Sequence, residues 1–204
     1  MGKNMAEGRS FNSIKKQERK ARQDYIIDAA ERVFAEKPFN KVSMRDVAKE
    51  AGITHAAIYR YFPDQQSLFV EAFLRGAVKI ISFLKDLVND KKAAGIEKVT
   101  EQFIGYLIEN DLYFRMMTHF MLDGSLSGEM LERLNSAEKE LFDQLERLFV
   151  KMKVKGDPRM LSHAFFAAMN GVLISFRNYP GRDRSEVVEH MIRLGKIIAQ
   201  RFRG

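Results

Sequence analysis

Residues 43–62 read Ser-Met-Arg-Asp-Val-Ala-Lys-Glu-Ala-Gly-Ile-Thr-His-Ala-Ala-Ile-Tyr-Arg-Tyr-Phe, and this order constrains the fold more than any other stretch. Ser43 is suited to cap a short helix that buries Met44, Val47, Ala48 and Ala51. Gly52 ends that helix, because the sharp turn there needs a left-handed residue. Thr54 then caps a second short helix running to about Tyr61. Ala48 has to be small where the two helices nearly touch, and Ile53 and Ile58 pack the second helix against the first. The product is a helix-turn-helix whose second helix keeps its outer face free for a major groove. The same spacing also serves ordinary core packing, so the pattern alone leaves both readings open.

Helical periodicity extends on both sides. Ile26, Ile27, Ala30, Val33 and Phe34 share one face of a preceding helix that begins at about Glu18. Pro38 biases Lys37 away from helical backbone and marks its end. Pro63-Asp64 breaks the chain again, and Asp64 can cap a long helix from Gln65 towards Asn89. Gly95, Asp111, Gly124–Gly128, Gly156-Asp157-Pro158 and Tyr179-Pro180-Gly181 punctuate the remainder of the chain. In one later segment Leu131, Leu134, Leu141, Leu145, Leu148 and Met152 recur at spacings of three, four or seven. In the last segment Val188, Met191, Ile192, Gly195, Ile198, Ala199 and Phe202 do the same. No stretch alternates with period two for long enough to suggest a sheet. The predicted fold is all-α with about nine helices.

Specific residues carry a family resemblance. Gly52-Ile53-Thr54, Ile58-Tyr59-Arg60-Tyr61-Phe62 and Leu68-Phe69 closely resemble the signature of the tetracycline-repressor (TetR) family. Ala29-Ala30 and Val33-Phe34-Ala35-Glu36-Lys37 before Phe39 resemble that family's first helix. The match covers about residues 22–70, and beyond it only length and helical content agree. The resemblance implies an N-terminal three-helix DNA-binding domain, at 20–66, followed by a helical ligand-binding and dimerisation domain at 67–204. It implies that Arg45 reaches a base or phosphate and that Thr54, His55, Ala56 and Ala57 face base edges. Tyr59 matches a tyrosine that bonds phosphate, and Tyr61 stands beside the DNA backbone. Gln65 replaces a lysine common in the family, which keeps a hydrogen bond to phosphate but loses its charge. Ala56 and Ala57 can touch thymine methyls but cannot hydrogen-bond, which leaves Thr54 and His55 as the polar readers. Such a sparse reader shifts specificity towards DNA shape and phosphate positioning.

Charge distribution adds to this. The net charge is +7, and residues 1–22 hold Lys3, Arg9, Lys15, Lys16, Arg19, Lys20 and Arg22 against Glu7 and Glu18. Five of the seven net charges therefore lie in that stretch, whereas residues 23–62 balance six basic against six acidic side chains. Residues 1–19 read as a flexible basic arm able to displace counterions from phosphates, or simply as a solvated tail. The chain has no cysteine, no apolar run near the ~18 residues of a membrane span, and polar residues after Met1 where a signal peptide would be apolar. A soluble cytoplasmic protein without membrane association is expected, with no cofactor.

The C-terminal part is rich in adaptable apolar side chains. Phe103, Tyr106, Tyr113, Met117, Phe120, Phe166, Met169 and Asn170 are the candidate ligand-binding residues, for an unidentified and mainly hydrophobic small-molecule effector. His119 and Arg177 are further polar candidates. Arg177 or Arg115 would suit an acidic head group, Glu109 or Asp111 a cationic one. The last two helices, about 158–178 and 184–203, resemble the family's homodimer-forming pair, with Phe165, Val172, Met191 and Ile198 as candidate interface residues and Gly171 and Gly195 permitting close approach. A two-fold pair would set its recognition helices about 34 Å apart, for a palindromic double-stranded operator. A ligand-released repressor is the expected function, and a DNA-binding architectural or adaptor protein without sensing is the alternative. An enzyme is not expected. Gly124-Ser-Leu-Ser-Gly128 has Leu126 at the position a nucleophile elbow gives to serine, and His55, His119, His163 and His190 lack metal-ligand spacing.

Overall fold

The structure is a computed structural model that describes residues 11–90, 95–122, 126 and 128–203. Among the described residues there are nine α-helices and two 3-10 turns, and no strand. The chain divides into two compact units between Ala72 and Phe73.

The first unit begins with α1 (Phe11–Glu36). Its C-terminal half buries Ile26, Ile27, Ala29, Ala30, Val33 and Phe34, the face expected from periodicity. The helix starts earlier than the sequence pattern indicates, so residues 11–19 are helical rather than part of a flexible arm. The reason is that nothing before Gln23 is buried except in part Ser13, and so no apolar stripe marks this segment. Its residues are mostly good helix formers, and Lys20 pairs with Asp24 one turn on at 2.9 Å. Residues 1–10, with Lys3 and Arg9, lie outside the described residues.

A 3-10 turn at Phe39–Lys41 leads into α2 (Met44–Glu50). Ser43 caps α2 reciprocally. Its hydroxyl accepts from the Asp46 amide at 3.2 Å, and the Asp46 carboxylate accepts from the Ser43 amide at 2.9 Å. Gly52 turns the chain at φ +64°, and α3 (His55–Ile58) begins under the cap of Thr54. The chain then continues through turns at 59–61 to α4 (Gln65–Asn89), whose first turn is held by the Asp64 carboxylate accepting from the Ser67 amide at 2.7 Å. Phe34, Phe39 and Phe69 meet with ring centroids 4.5 to 5.6 Å apart and close this unit's core with Val47, Ala48, Ile58 and Leu68.

The second unit contains the rest of α4, α5 (Ile96–Glu109), α6 (Asp111–Leu122), α7 (Gly128–Met152), α8 (Pro158–Phe176) and α9 (Arg184–Ala199), with a 3-10 turn at Gln200–Arg203. Most of the expected break at Gly124–Gly128 lies outside the described residues. α9 packs on α5 and α8, and α7 on α8. Gly195 is what lets α9 approach α5. A methyl there would come within 2.4 Å of Ile104 Cδ1 and 2.9 Å of Thr100 Cγ2. Gly171 on α8 has nothing within 4 Å of the same position.

Three of the four expected interface residues are instead core. Phe165, Val172 and Met191 are 0%, 5% and 2% exposed. Phe165 sits among Phe103, Phe149 and Phe202, with centroids 5.6, 5.8 and 6.2 Å away. They belong to the inward stripes of α8 and α9, and side chains already withdrawn from water have no free surface to give a second chain. Ile198 is half-buried.

Candidate nucleic-acid interface and apolar cavity

α3 presents its N-terminal turn outward. Thr54, His55 and Ala56 are exposed, Ala57 is half-buried, and Ile58 is fully buried as the anchor beneath. The Thr54 hydroxyl accepts from the Ala57 amide at 3.2 Å. Its acceptor side is thus committed to the cap, while its own proton stays available to a base. His55 Nε2 and the Tyr59 hydroxyl lie 3.3 Å apart. Both side chains are exposed.

Arg45, His55, Tyr59 and Gln65 border one shallow groove of about 480 Å³, together with Ser43, Met44, Pro63 and Asp64. Three helices and two turns thus bring together half of the expected DNA-contacting residues. Arg45 is exposed and makes no ion pair or hydrogen bond with a described residue. Gln65 has a second duty that the sequence did not reveal. Its amide donates to the Val42 carbonyl at 2.9 Å and ties the start of α4 to the segment entering α2.

Tyr61 is half-buried and braced by α1. Arg22 donates to its hydroxyl at 3.4 Å, Gln23 to its carbonyl at 3.4 Å, and Arg19 to the Arg60 carbonyl at 3.0 Å. These three residues hold the chain just beyond α3, a role the sequence reading missed. The available signal was their shared face on α1, at spacings of three and four. Charge is also sorted. Arg32 pairs with Glu50 at 2.5 Å and Lys37 with Asp46 at 2.8 Å. The Lys37 ammonium and the Ser43 hydroxyl and amide hold the Asp46 carboxyl well below the usual carboxylate range. The balanced formal charge of residues 23–62 therefore conceals cations such as Arg45 that are not neutralised by a partner.

In the second unit a cavity of about 470 Å³ is bounded by α4, α6, α7 and α8. Of the expected ligand-binding residues, Tyr113, Met117, Phe120 and Phe166 line it. The other four do not. Phe103 and Met169 are fully buried in the core, Tyr106 stacks on Phe83 at 4.5 Å, and buried Asn170 donates to the Phe166 carbonyl at 2.8 Å. Phe73 on α4 and Leu131, Leu134 and Leu141 on α7 are lining residues that the sequence reading did not select. The partial exposure of Leu131 and Leu134 distinguishes them from the rest of the leucine repeat, and periodicity does not encode that. Tyr113 stacks on Phe73, with centroids 5.2 Å apart and planes at 11°. Burial pushes its hydroxyl well above the usual range and keeps it neutral. Glu138 is the one charged side chain among the described lining residues, and both it and Asn135 are exposed at the mouth.

Three of the other polar candidates, Arg177, Arg115 and Asp111, are engaged with one another. Arg177 is hydrogen-bonded to Asp111 and lies over Phe114 at 5.4 Å, and Arg115 faces the same carboxylate at 3.4 Å. Among the described residues no group of three or more His, Asp or Glu side chains is placed to hold a metal ion, and no helix is long and apolar enough to cross a membrane.

Comparison with known proteins agrees with this geometry. Residues 26–72 match the model of the bacterial regulatory proteins, tetR family. The HTH-type transcriptional regulator AcrR of Shigella flexneri is 39% identical over 56 residues, 28% of this chain and 26% of that protein. The nucleoid occlusion factor SlmA of Marinomonas sp. is 25% identical over 127 residues, 61% of this chain and 62% of that one. The chain thus aligns with less than two thirds of the length of these relatives. Among solved structures, a TetR-family regulator from Mesorhizobium loti superposes with a TM-score of 0.69 at 16% identity, covering 91% of this chain and 98% of that one. The regulator FadR of Bacillus subtilis, in complex with stearoyl-CoA, gives 0.65 at 20% identity, covering 84% and 96%. At these identities the structural likeness establishes the fold, which extends through both units.

Proposed function

We propose, because residues 26–72 match the model of the tetR family of bacterial regulatory proteins, that this chain is a transcriptional repressor that binds a palindromic operator as a homodimer and is released by a small effector. The observation that carries the DNA-binding part is the exposed first turn of α3 beside a groove that collects Arg45, His55, Tyr59 and Gln65. Thr54 and His55 offer hydrogen bonds to base edges, and Ala56 and Ala57 offer methyl contacts. Arg45, Tyr59 and Tyr61 fix register on phosphates, with Lys15 and Lys16 of α1 adding charge.

The dimer face is assigned to the outward stripe of α8 and α9 rather than to the buried residues between them. Met160, Ile174 and Ile197 are 63%, 53% and 49% exposed, and Ala164, Ala167 and Gly171 between the first two are small enough for close approach. Covering such a stripe is favourable at about 25 cal/mol per Å² of apolar surface. Pairing of two chains would present two copies of α3 about one helical turn of DNA apart.

The cavity is assigned to the effector. Its aromatic and aliphatic walls suit an apolar body, and Glu138 at the mouth favours a neutral or cationic head over an anionic one. An effector that binds one dimer geometry better than the other weakens DNA binding, and DNA weakens effector binding by the same factor. A second reading, a DNA-binding architectural or adaptor protein, is favoured by one observation, the 25% identity over 127 residues to a protein named a nucleoid occlusion factor.

Selection of bound duplexes from a random pool tests the reading. Enrichment of an inverted repeat supports it, and an enriched pool without two-fold symmetry, or no enrichment, contradicts it. Screening apolar amines and neutral aromatics for release of the selected duplex then separates a sensor from an architectural protein.

A further inference from the structure

A second recess, of about 600 Å³, lies where the corner between α5 and α6 meets the turn between α8 and α9. Its chemistry is opposite to that of the apolar cavity. One wall is apolar, formed by Leu107, Phe114, Leu173, Val187 and Met191, all of them buried beneath its surface. The rim carries three guanidinium groups, Arg177, Arg182 and Arg184, and one carboxylate, Asp111.

Neutralisation within this set is incomplete. Asp111 is already bonded by Arg177 and faces Arg115 as well. Arg182 is held over the Tyr179 ring at 4.9 Å, so part of its conformational freedom is already lost. Neither Arg182 nor Arg184 makes an ion pair with a described residue. Asp183 stands between them in sequence but is turned into the start of α9. Its carboxylate accepts from the Glu186 amide at 2.9 Å and the Ser185 hydroxyl at 2.7 Å, and these bonds hold it below the usual carboxylate range. Glu186 completes that cap by accepting from the Asp183 amide at 3.3 Å. Glu189 borders the surface on the far side of Arg184, outside the recess.

Two unneutralised guanidinium groups beside an apolar wall make a site for a molecule with both characters. We propose that this recess binds an amphipathic anion, with a carboxylate or phosphate head on Arg182 and Arg184 and an apolar body along the half-buried Ile108 and Val188 and the exposed Tyr179 ring, above the buried floor. Guanidinium forks match either head group geometrically. The apolar cavity disfavours the same molecule, because its charged lining residue is Glu138. Tyr113 and Phe114 are neighbours on α6, and the first lines the cavity while the second lines the recess.

Titration calorimetry on the full chain with decanoate, decyl phosphate and decanol, each below its aggregation concentration, tests the assignment. At least one of the two anions is expected to bind saturably, one per chain, while decanol, a neutral amphiphile, reports on the apolar cavity. The better of the two identifies the head group. The double substitution Arg182→Gln and Arg184→Gln is expected to weaken that anion at least tenfold and leave decanol unchanged. Both side chains are exposed, so thermal melting should stay at the wild-type midpoint. Val188→Trp, which narrows the recess from its half-buried rim, should weaken the anion as well. No anion binding, wild-type anion affinity in the double variant, or an equal loss of decanol binding in that variant would each overturn the proposal.

Discussion

The Tyr59 hydroxyl and His55 Nε2 lie 3.3 Å apart across one turn of α3, with their rings edge to face at 5.2 Å. Each of these polar groups is the other's partner in the free chain, so docking on DNA exchanges that contact for one with a phosphate or base. Tyr59→Phe should weaken operator binding about 10- to 100-fold, the ~1.5–3 kcal/mol of a hydrogen bond to a charged group. The slope of log affinity against log salt should not change, because no cation is removed. Fluorescence anisotropy at several salt concentrations measures both, and a changed slope at unchanged affinity would contradict the assigned role.

Lys15 and Lys16 lie on the part of α1 that buries almost nothing. Its extension as a helix gives these charges a fixed direction that a free arm would lack. The Lys15→Gln, Lys16→Gln double variant should reduce the salt slope by about 0.9 for each phosphate that the two lysines neutralise. A wild-type slope would remove this segment from the DNA interface.

These two cases mark how much was legible in the sequence. Ser43, Gly52, Thr54 and Asp64 act on their nearest neighbours, so their capping and turning roles could be read directly, as could the buried stripe from Ile26 to Phe34. The start of α1 was not legible, because residues 11–22 are helical without an apolar face. Inward and outward faces of α8 could not be separated either. Phe165 and Val172 fill the core while Met160 and Ile174 face outward, and both sets are apolar. The cavity was half legible for the same reason. Tyr113 and Phe120 have the composition of a pocket lining, but so do Phe103 and Met169, which the neighbouring helices enclose completely. Long-range contacts such as Gln65 to Val42 have no local sequence signal.

Close approach in the second unit can be tested with two glycines. A methyl at Gly76 would lie 2.5 Å from Tyr113 Cδ2, in a ring fixed by stacking on Phe73. Gly76→Ala should therefore destabilise by about 1–3 kcal/mol despite the gain in helix propensity. Gly105 has nothing within 4 Å, and Gly105→Ala should stabilise by up to about 1 kcal/mol. Urea denaturation measures both. Equal effects of the same sign would contradict the packing described for Tyr113.

Asp46 gives a pH test. Its carboxyl is depressed by Lys37 and Ser43, so folding gains stability above the ordinary aspartate pKa of about 3.9 and loses it as pH falls through the lower folded value. Wild type should therefore lose stability relative to Asp46→Asn as pH is lowered below about 4. The difference should be flat between about pH 5 and 8, where the carboxyl is ionised in both the folded and unfolded chain. Thermal melting from about pH 8 down to below pH 4 measures it, and a difference that grows in favour of wild type on acidification would reverse the sign and refute the bonding scheme.

The chain has no cysteine, which permits the most direct test of α3 as the DNA-reading element. Ala56→Cys, at an exposed position of α3, can carry an iron–EDTA probe that cleaves DNA only where it docks. The expected result on the selected operator is two cleavage clusters, symmetric about its centre and about one helical turn apart. A single cluster, or diffuse cleavage no different from that of a probe at Ser136→Cys on α7, would contradict the assignment of α3 as the reading helix of a two-fold pair.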